Sequence, residues 1–126
     1  MAYILIVEDD PSVRTLAARA LESAGHTVAV ADDGEGGLAR IREAAGGFDL
    51  VISDIRMPGM DGIEMAREAA ARYPGLRILL MTGYADQRER AADLSHIVID
   101  VLQKPFTLTQ MRERVAEALA ARRAAA

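Results

Sequence analysis

Five short apolar runs, most of them closed by polar or acidic residues, alternate along this chain with longer segments whose apolar positions recur at helical spacing. Tyr3–Val7 is continuously apolar, which predicts a strand buried on both faces, and Glu8-Asp9-Asp10 ends it. Pro11 suits a first helical position with Asp10 as N-cap. Val13, Leu16, Ala17, Ala20, Leu21 and Ala24 form one stripe, and Gly25 stops the helix. Thr27–Ala31 alternates weakly, as an edge strand does. A second helix follows Asp33, with Leu38, Ile41 and Ala45 inward, although Gly34, Gly36 and Gly37 weaken it at about 1 kcal/mol per internal glycine.

The third strand is predicted over 48–53, with Asp54 where its carboxyl end opens to solvent. Pro58, Gly59 and Gly62 mark a tight turn. Asp61 and Glu64 have capping-box spacing at the start of a third helix, whose inner face carries Ile63, Ala66, Ala70 and Tyr73. A fourth strand over 76–81 leads into Thr82-Gly83. The segment 85–94 is highly charged and predicts a short, loosely held helix. A fifth strand over 97–102 ends at Gln103-Lys104-Pro105. Thr107 and Gln110 match a second capping box, before a stripe of Leu108, Met111, Val115 and Leu119.

Five strands alternating with five helices predict an α/β fold: a flavodoxin-like, doubly wound (βα)5 sandwich around a five-stranded parallel sheet. The order 2-1-3-4-5 is the topology that places the first and third strands side by side at the switch point, where such folds bind ligands. The 126 residues suit one compact domain. With no cysteine, thiol catalysis and thiolate metal sites are excluded. No apolar run reaches the roughly 18 residues of a membrane span. Met1-Ala-Tyr-Ile lacks the basic start of a signal peptide, and a cytoplasmic location is the expectation. A net charge of -4 disfavours broad nucleic-acid binding. His26 and His96 are isolated and read as surface residues, and the methionines read as core filler.

In the 2-1-3-4-5 order, the strand ends bring Asp9, Asp10, Asp54, Thr82 and Lys104 to one cleft. Singly, each has a bland reading as a helix cap, turn former or surface residue. Together they are three carboxylates, a hydroxyl and an ammonium at one sheet edge. Two carboxylates about 5 Å apart repel by roughly 3 kcal/mol at an effective dielectric of about 20. Lys104 compensates one charge, and a hard divalent cation such as Mg²⁺, which favours oxygen ligands and phosphate, would compensate the rest.

The ordered set Ile-Val-Glu-Asp-Asp, Ser-Asp-Ile-Arg-Met-Pro-Gly-Met-Asp-Gly, Met-Thr-Gly and Gln-Lys-Pro-Phe resembles the receiver domain of two-component response regulators over essentially the whole chain. The resemblance implies a receiver domain over 1–121 and a short tail over 122–126. It implies Asp54 as phosphoacceptor, served by Thr82 and Lys104, with Mg²⁺ held by Asp9, Asp10, Asp54 and the carbonyl of Arg56. It also implies a cis Lys104–Pro105 peptide. The donor would be a sensor histidine kinase or a histidine phosphotransferase, and the chain would catalyse only its own phosphorylation and dephosphorylation. The pattern departs from many receivers at Val101, where an aromatic switch residue is usual; Tyr84 is the nearest aromatic and the substitute switch candidate. Thr-Gly-Tyr and Lys-Pro, with Val at the switch position, are most similar to CpdR-type single-domain regulators of alphaproteobacteria. With no effector domain after Leu119, output to an unknown downstream protein through direct contact is the expectation, from a monomer or weak dimer. The fourth helix, fifth strand and fifth helix are the family's usual output surface.

Other readings fit less well. An FMN-binding flavodoxin needs a neutral phosphate loop after the first strand, where Glu8-Asp9-Asp10 would repel phosphate. A nicotinamide enzyme needs Gly-x-Gly-x-x-Gly there. A haloacid-dehalogenase-type hydrolase needs a second Asp at position 56, which is Arg. A degenerate receiver acting as a phosphorylation-independent binding module is the alternative.

Overall fold

The computed structural model describes residues 1–83, 94 and 96–121. Its strands are β1 (Tyr3–Val7), β2 (Thr27–Ala31), β3 (Leu50–Asp54), β4 (Ile78–Thr82) and β5 (Asp100–Gln103). The helices among the described residues are α1 (Pro11–Ser23), α2 (Gly34–Glu43), α3 (Gly62–Arg72) and α4 (Leu108–Ala120). All neighbouring strands pair in parallel, in the order β2-β1-β3-β4-β5. The predicted helix over 85–94 lies outside the described residues apart from Leu94, as do Tyr84 and the tail over 122–126.

Strand alternation divides the core into two layers. Leu5 and Val7 of β1, Val51 of β3, and Ile78 and Leu80 of β4 pack with Leu38 and Ile41 of α2 and Ile63, Met65, Ala66 and Ala69 of α3. Ile4, Ile6, Leu50, Ile52, Leu79, Met81 and Leu102 point the other way, onto Ala17 and Leu21 of α1 and Met111, Val115 and Ala118 of α4. The sheet is thus covered on both faces, which is why its central strands read as continuous apolar runs. β3 and β4 are buried at every position, whereas β2 and β5, at the edges, are only partly buried.

Side chains cap the helices where the sequence places them. Asp10 Oδ1 accepts from the Ser12 and Val13 amides, Asp33 from Gly36, and Asp61 from Glu64. Thr107 and Gln110 form a reciprocal box at 3.0 and 2.8 Å. The glycines of α2 have a packing reason. A Cβ on Gly37 would lie 2.7 Å from Val7 Cγ2 and 3.1 Å from Met65 Sδ, so the helix sits closer to the sheet than alanine allows. A Cβ on Gly34 would collide with the Met60 carbonyl.

Several boundaries differ from the pattern. β5 starts at Asp100 because Ile97 and Val98 both donate their amides to the Leu94 carbonyl at 2.8 Å, closing a turn instead of a ladder. Ala45 falls beyond α2 with φ 51°, and is exposed. Leu16, assigned to the inner stripe of α1, is 52% exposed, and Ala24 is exposed beyond the helix end. Leu108 at the start of α4 is 38% exposed. No helix among the described residues is long and apolar enough to cross a membrane.

Candidate functional site

The carboxyl ends of β1, β3 and β5 carry the site because their side chains share a phase. Glu8 continues the sequence Ile4, Ile6; Asp54 continues Leu50, Ile52; Lys104 follows Leu102 by two. All three continue stripes facing the α1 and α4 layer. Asp54 is the last residue of β3 and 7% exposed, and Glu8 is fully buried. Lys104 Nζ bridges them, 2.8 Å from Glu8 Oε1 and 3.1 Å from Asp54 Oδ2. The Lys104–Pro105 peptide is cis, and the Lys104 amide donates to the Thr82 carbonyl at 2.8 Å. That bond ties the ends of β4 and β5 together.

Glu8, Asp9 and Asp54 each offer a carboxylate oxygen within 4.8 Å of the others. Like charges this close cannot all be ionised without compensation. Partial desolvation, followed by hydrogen bonding to Glu8 and the Glu8 charge, raises the Asp9 pKa above its ordinary value. Burial alone would lower the pKa of Lys104, but its hydrogen bond to Glu8 and the charges of Asp54 and Glu8 outweigh burial and raise it. The ammonium is therefore a fixed positive charge at neutral pH. A hard divalent cation fits the donor set, since all three donors are carboxylate oxygens and a carboxylate has lone pairs left after accepting one hydrogen bond per oxygen.

The acid pair sits one residue upstream of the sequence assignment. Asp10, expected among the metal ligands, is outside this three-carboxylate group although it borders the cleft; its Oδ1 is engaged in capping α1. Glu8 takes the place beside Asp9. Two signals could have found it: Glu8 is in phase with the buried stripe of β1, and Asp10-Pro11 is already a helix start. Glu8 is held at every polar group. Its amide donates to Ala31 O at 3.0 Å, its Oε2 accepts from the Asp10 amide at 3.2 Å, and its carbonyl accepts from Arg14 Nη1 at 2.8 Å.

Thr82 ends β4 and is 1% exposed, in phase with Ile78 and Leu80 on the opposite layer. Arg56 is exposed and lines the cleft with Asp54, Met57, Pro58 and Gly83, in a space of about 950 Å³. Val101 is half-buried, opposite Leu80 in the sheet and against the α2 and α3 layer. Gly62 lies against the Asp54 backbone: a Cβ there would collide with the Asp54 carbonyl and come within 3.0 Å of Ile55 Cα. Its amide donates to Ile55 O at 2.8 Å, so the start of α3 clamps the acceptor strand.

The family description that matches the chain is the response regulator receiver domain, over residues 4–116. The response regulator receiver protein CpdR of Brucella abortus is 37% identical over 121 residues, covering 96% of this chain and 99% of that protein. The sensor kinase CckA of Brucella abortus is 38% identical over 121 residues, and the transcriptional regulatory protein ZraR of Salmonella typhimurium 38% over 117. The chain spans 12% of that kinase's length and 26% of that regulator's. Among solved structures, a response regulator receiver domain protein from Clostridium thermocellum superposes with a TM-score of 0.87 at 25% identity, with 95% of each chain covered. The response regulator TrrA of Thermotoga maritima, in complex with Mg(2+)-BeF, gives 0.82 at 32% identity, covering 94% of this chain and 99% of that one.

Proposed function

The chain belongs to the response regulator receiver domain family, and on that premise we propose that it accepts a phosphoryl group on Asp54 from a phosphohistidine donor. The observation that carries this reading is one carboxylate, 7% exposed at a strand end, with an ammonium 3.1 Å away and two further carboxylates beside it. An oxygen of Asp54 attacks phosphorus as the P–N bond to the donor histidine breaks, and the imidazole nitrogen keeps the electron pair and takes a proton. The transition state spreads charge over the equatorial oxygens, so the work of the site is positioning and electrostatic stabilisation. Lys104 supplies a preorganised positive charge. Thr82 supplies a hydroxyl at the neighbouring strand end. Glu8, Asp9 and Asp54, with the Arg56 carbonyl, would hold Mg²⁺, which when bound neutralises charge on the phosphoryl oxygens.

The acyl phosphate so formed is open to in-line attack by water. The chain therefore acts as a self-resetting phosphoacceptor and not as an enzyme on a separate substrate. By its likeness to CpdR over 99% of that protein, the fitting role is a stand-alone cytoplasmic regulator, phosphorylated by a sensor histidine kinase or a histidine phosphotransferase. Its signal passes to a downstream protein by direct contact. The test is transfer from a ³²P-labelled histidine phosphotransferase to the native chain, to Asp54→Asn, and to the native chain in excess chelator. Label moving only to the native chain with free Mg²⁺ supports the reading. No transfer, with partner binding retained, assigns a phosphorylation-independent binding module instead.

A further inference from the structure

We propose that Arg14 is a positioning residue for the cation site, holding the Glu8–Asp9 peptide so that both carboxylates face Asp54; the inference rests on the cation-dependent phosphoacceptor reading above. Only Glu8, Asp9 and Asp10 separate β1 from α1, and they have to present two carboxylates to the cleft and cap a helix with the third. The ladders of β1 with β2 and β3 end at Val7, so the carbonyl of the buried Glu8 falls just past them. A buried carbonyl needs a donor, and Arg14 Nη1 supplies it at 2.8 Å from one turn into α1.

The Arg14 side chain holds the Glu8 end of the turn, while the Arg14 backbone amide makes the ordinary first-turn helical bond to the Asp10 carbonyl at 2.9 Å. The peptide unit it holds runs from the carbonyl of Glu8 to the amide of Asp9. Rotation of that unit would swing Asp9, the exposed member of the cluster, relative to Asp54. The bond is charge-assisted, and so stronger than one between neutral groups, and it pins the Glu8 carbonyl at 2.8 Å from Nη1. Lys104 and the Asp10 amide hold the carboxylate of Glu8, and Arg14 holds its backbone.

The sign of the effect separates this role from a simple charge effect. A guanidinium bonded to the backbone of a carboxylate-bearing residue of the cluster adds positive charge that opposes cation binding, so losing its charge alone would tighten Mg²⁺. Losing the hold on the turn would weaken it. The experiment titrates Mg²⁺ into the full chain by calorimetry, without phosphodonor, for native, Arg14→Met and Arg14→Lys, with thermal unfolding in parallel. Arg14→Met is expected to bind Mg²⁺ about tenfold more weakly, the low end for losing an outer-shell contact. Arg14→Lys, which keeps the charge and one compact donor, should fall between. Equal or tighter binding by a folded Arg14→Met overturns the proposal, leaving Arg14 as a nearby charge. If Arg14→Met does not fold, Arg14→Lys decides in the same way: weaker binding supports the role and unchanged binding overturns it. A native chain that binds no Mg²⁺ overturns both this inference and the reading beneath it.

Discussion

Replacing Lys104 by methionine removes the one ammonium placed between two largely buried carboxylates. Nζ lies 2.8 Å from Glu8 and 3.1 Å from Asp54, whose side chains are 1% and 10% exposed. At an effective dielectric of about 20, each contact is worth roughly 5–6 kcal/mol of gross attraction. The net loss is smaller, because the ammonium regains hydration and water enters an open cleft. Removing one partner of a buried pair costs about 3–5 kcal/mol. Since the Lys104 side chain is 24% exposed, solvent screening lowers the expected loss to about 2–4 kcal/mol. Urea unfolding at pH 7 without divalent cations reads this as a midpoint lowered by roughly 2 M, for a slope of about 1.5 kcal/mol/M. Adding Glu8→Gln to the variant should restore at least half the loss, because the isolated charge is then gone. The folded pKa of Lys104 lies above the ordinary 10.5. Its contribution is therefore fully present below the unfolded value and is lost as pH rises through the folded one. The gap between native and variant should stay constant from about pH 7 to 9.5 and close above the lysine range. A gap under about 0.5 kcal/mol at pH 7, the size of an ordinary surface substitution, would refute the electrostatic reasoning, as would a gap that widens at high pH.

Three further perturbations separate the acid cluster, the α3 clamp and the α4 cap. Asp9 has a raised pKa when folded, so its ionisation costs the folded chain stability as pH rises through and above its ordinary 3.8; Asp9→Asn should melt higher than native at pH 7 without Mg²⁺ and should lose most of the Mg²⁺-induced rise, both read by thermal unfolding. Gly62→Ala would press a methyl group against the Asp54 carbonyl, costing about 1–3 kcal/mol in urea unfolding and slowing phosphorylation by a small-molecule donor, because the acceptor strand must shift. Thr107→Ala breaks the capping box of α4 and should cost about 1 kcal/mol with an unchanged phosphorylation rate, a control showing that lost stability alone does not impair the site.

The topology was legible because burial on both faces makes the inner strands continuous apolar runs, and Asp54, Thr82 and Lys104 fall where those runs end. What sequence reading missed came from residues with two local meanings. Asp10 carries two readings, metal ligand and cap before the helix-starting Pro11; the structure bears out the cap, and it is the ligand reading that departs, since Asp10 lies outside the three-carboxylate group. Glu8 looks like the first residue of a loop, yet it keeps the phase of Ile4 and Ile6 and is fully buried. Gly37 looks like a helix breaker; it is a contact surface for Val7 and Met65, which only the tertiary packing reveals. Ile97 and Val98 carry strand composition but spend their amides on the Leu94 carbonyl. Leu16 follows the helical period of α1, but the pattern cannot tell a core position from the rim of an open cleft, which it lines.

Phosphoryl acceptance by Asp54 is read out by intact mass after incubating the native chain and Asp54→Ala with a small acyl-phosphate donor, with and without Mg²⁺, under rapid quench. A single added phosphoryl group is expected on the native chain only when Mg²⁺ is present, and none on the variant. An adduct that persists in Asp54→Ala, or a native chain that stays unmodified in saturating donor and Mg²⁺, would rule out Asp54 as the phosphoacceptor.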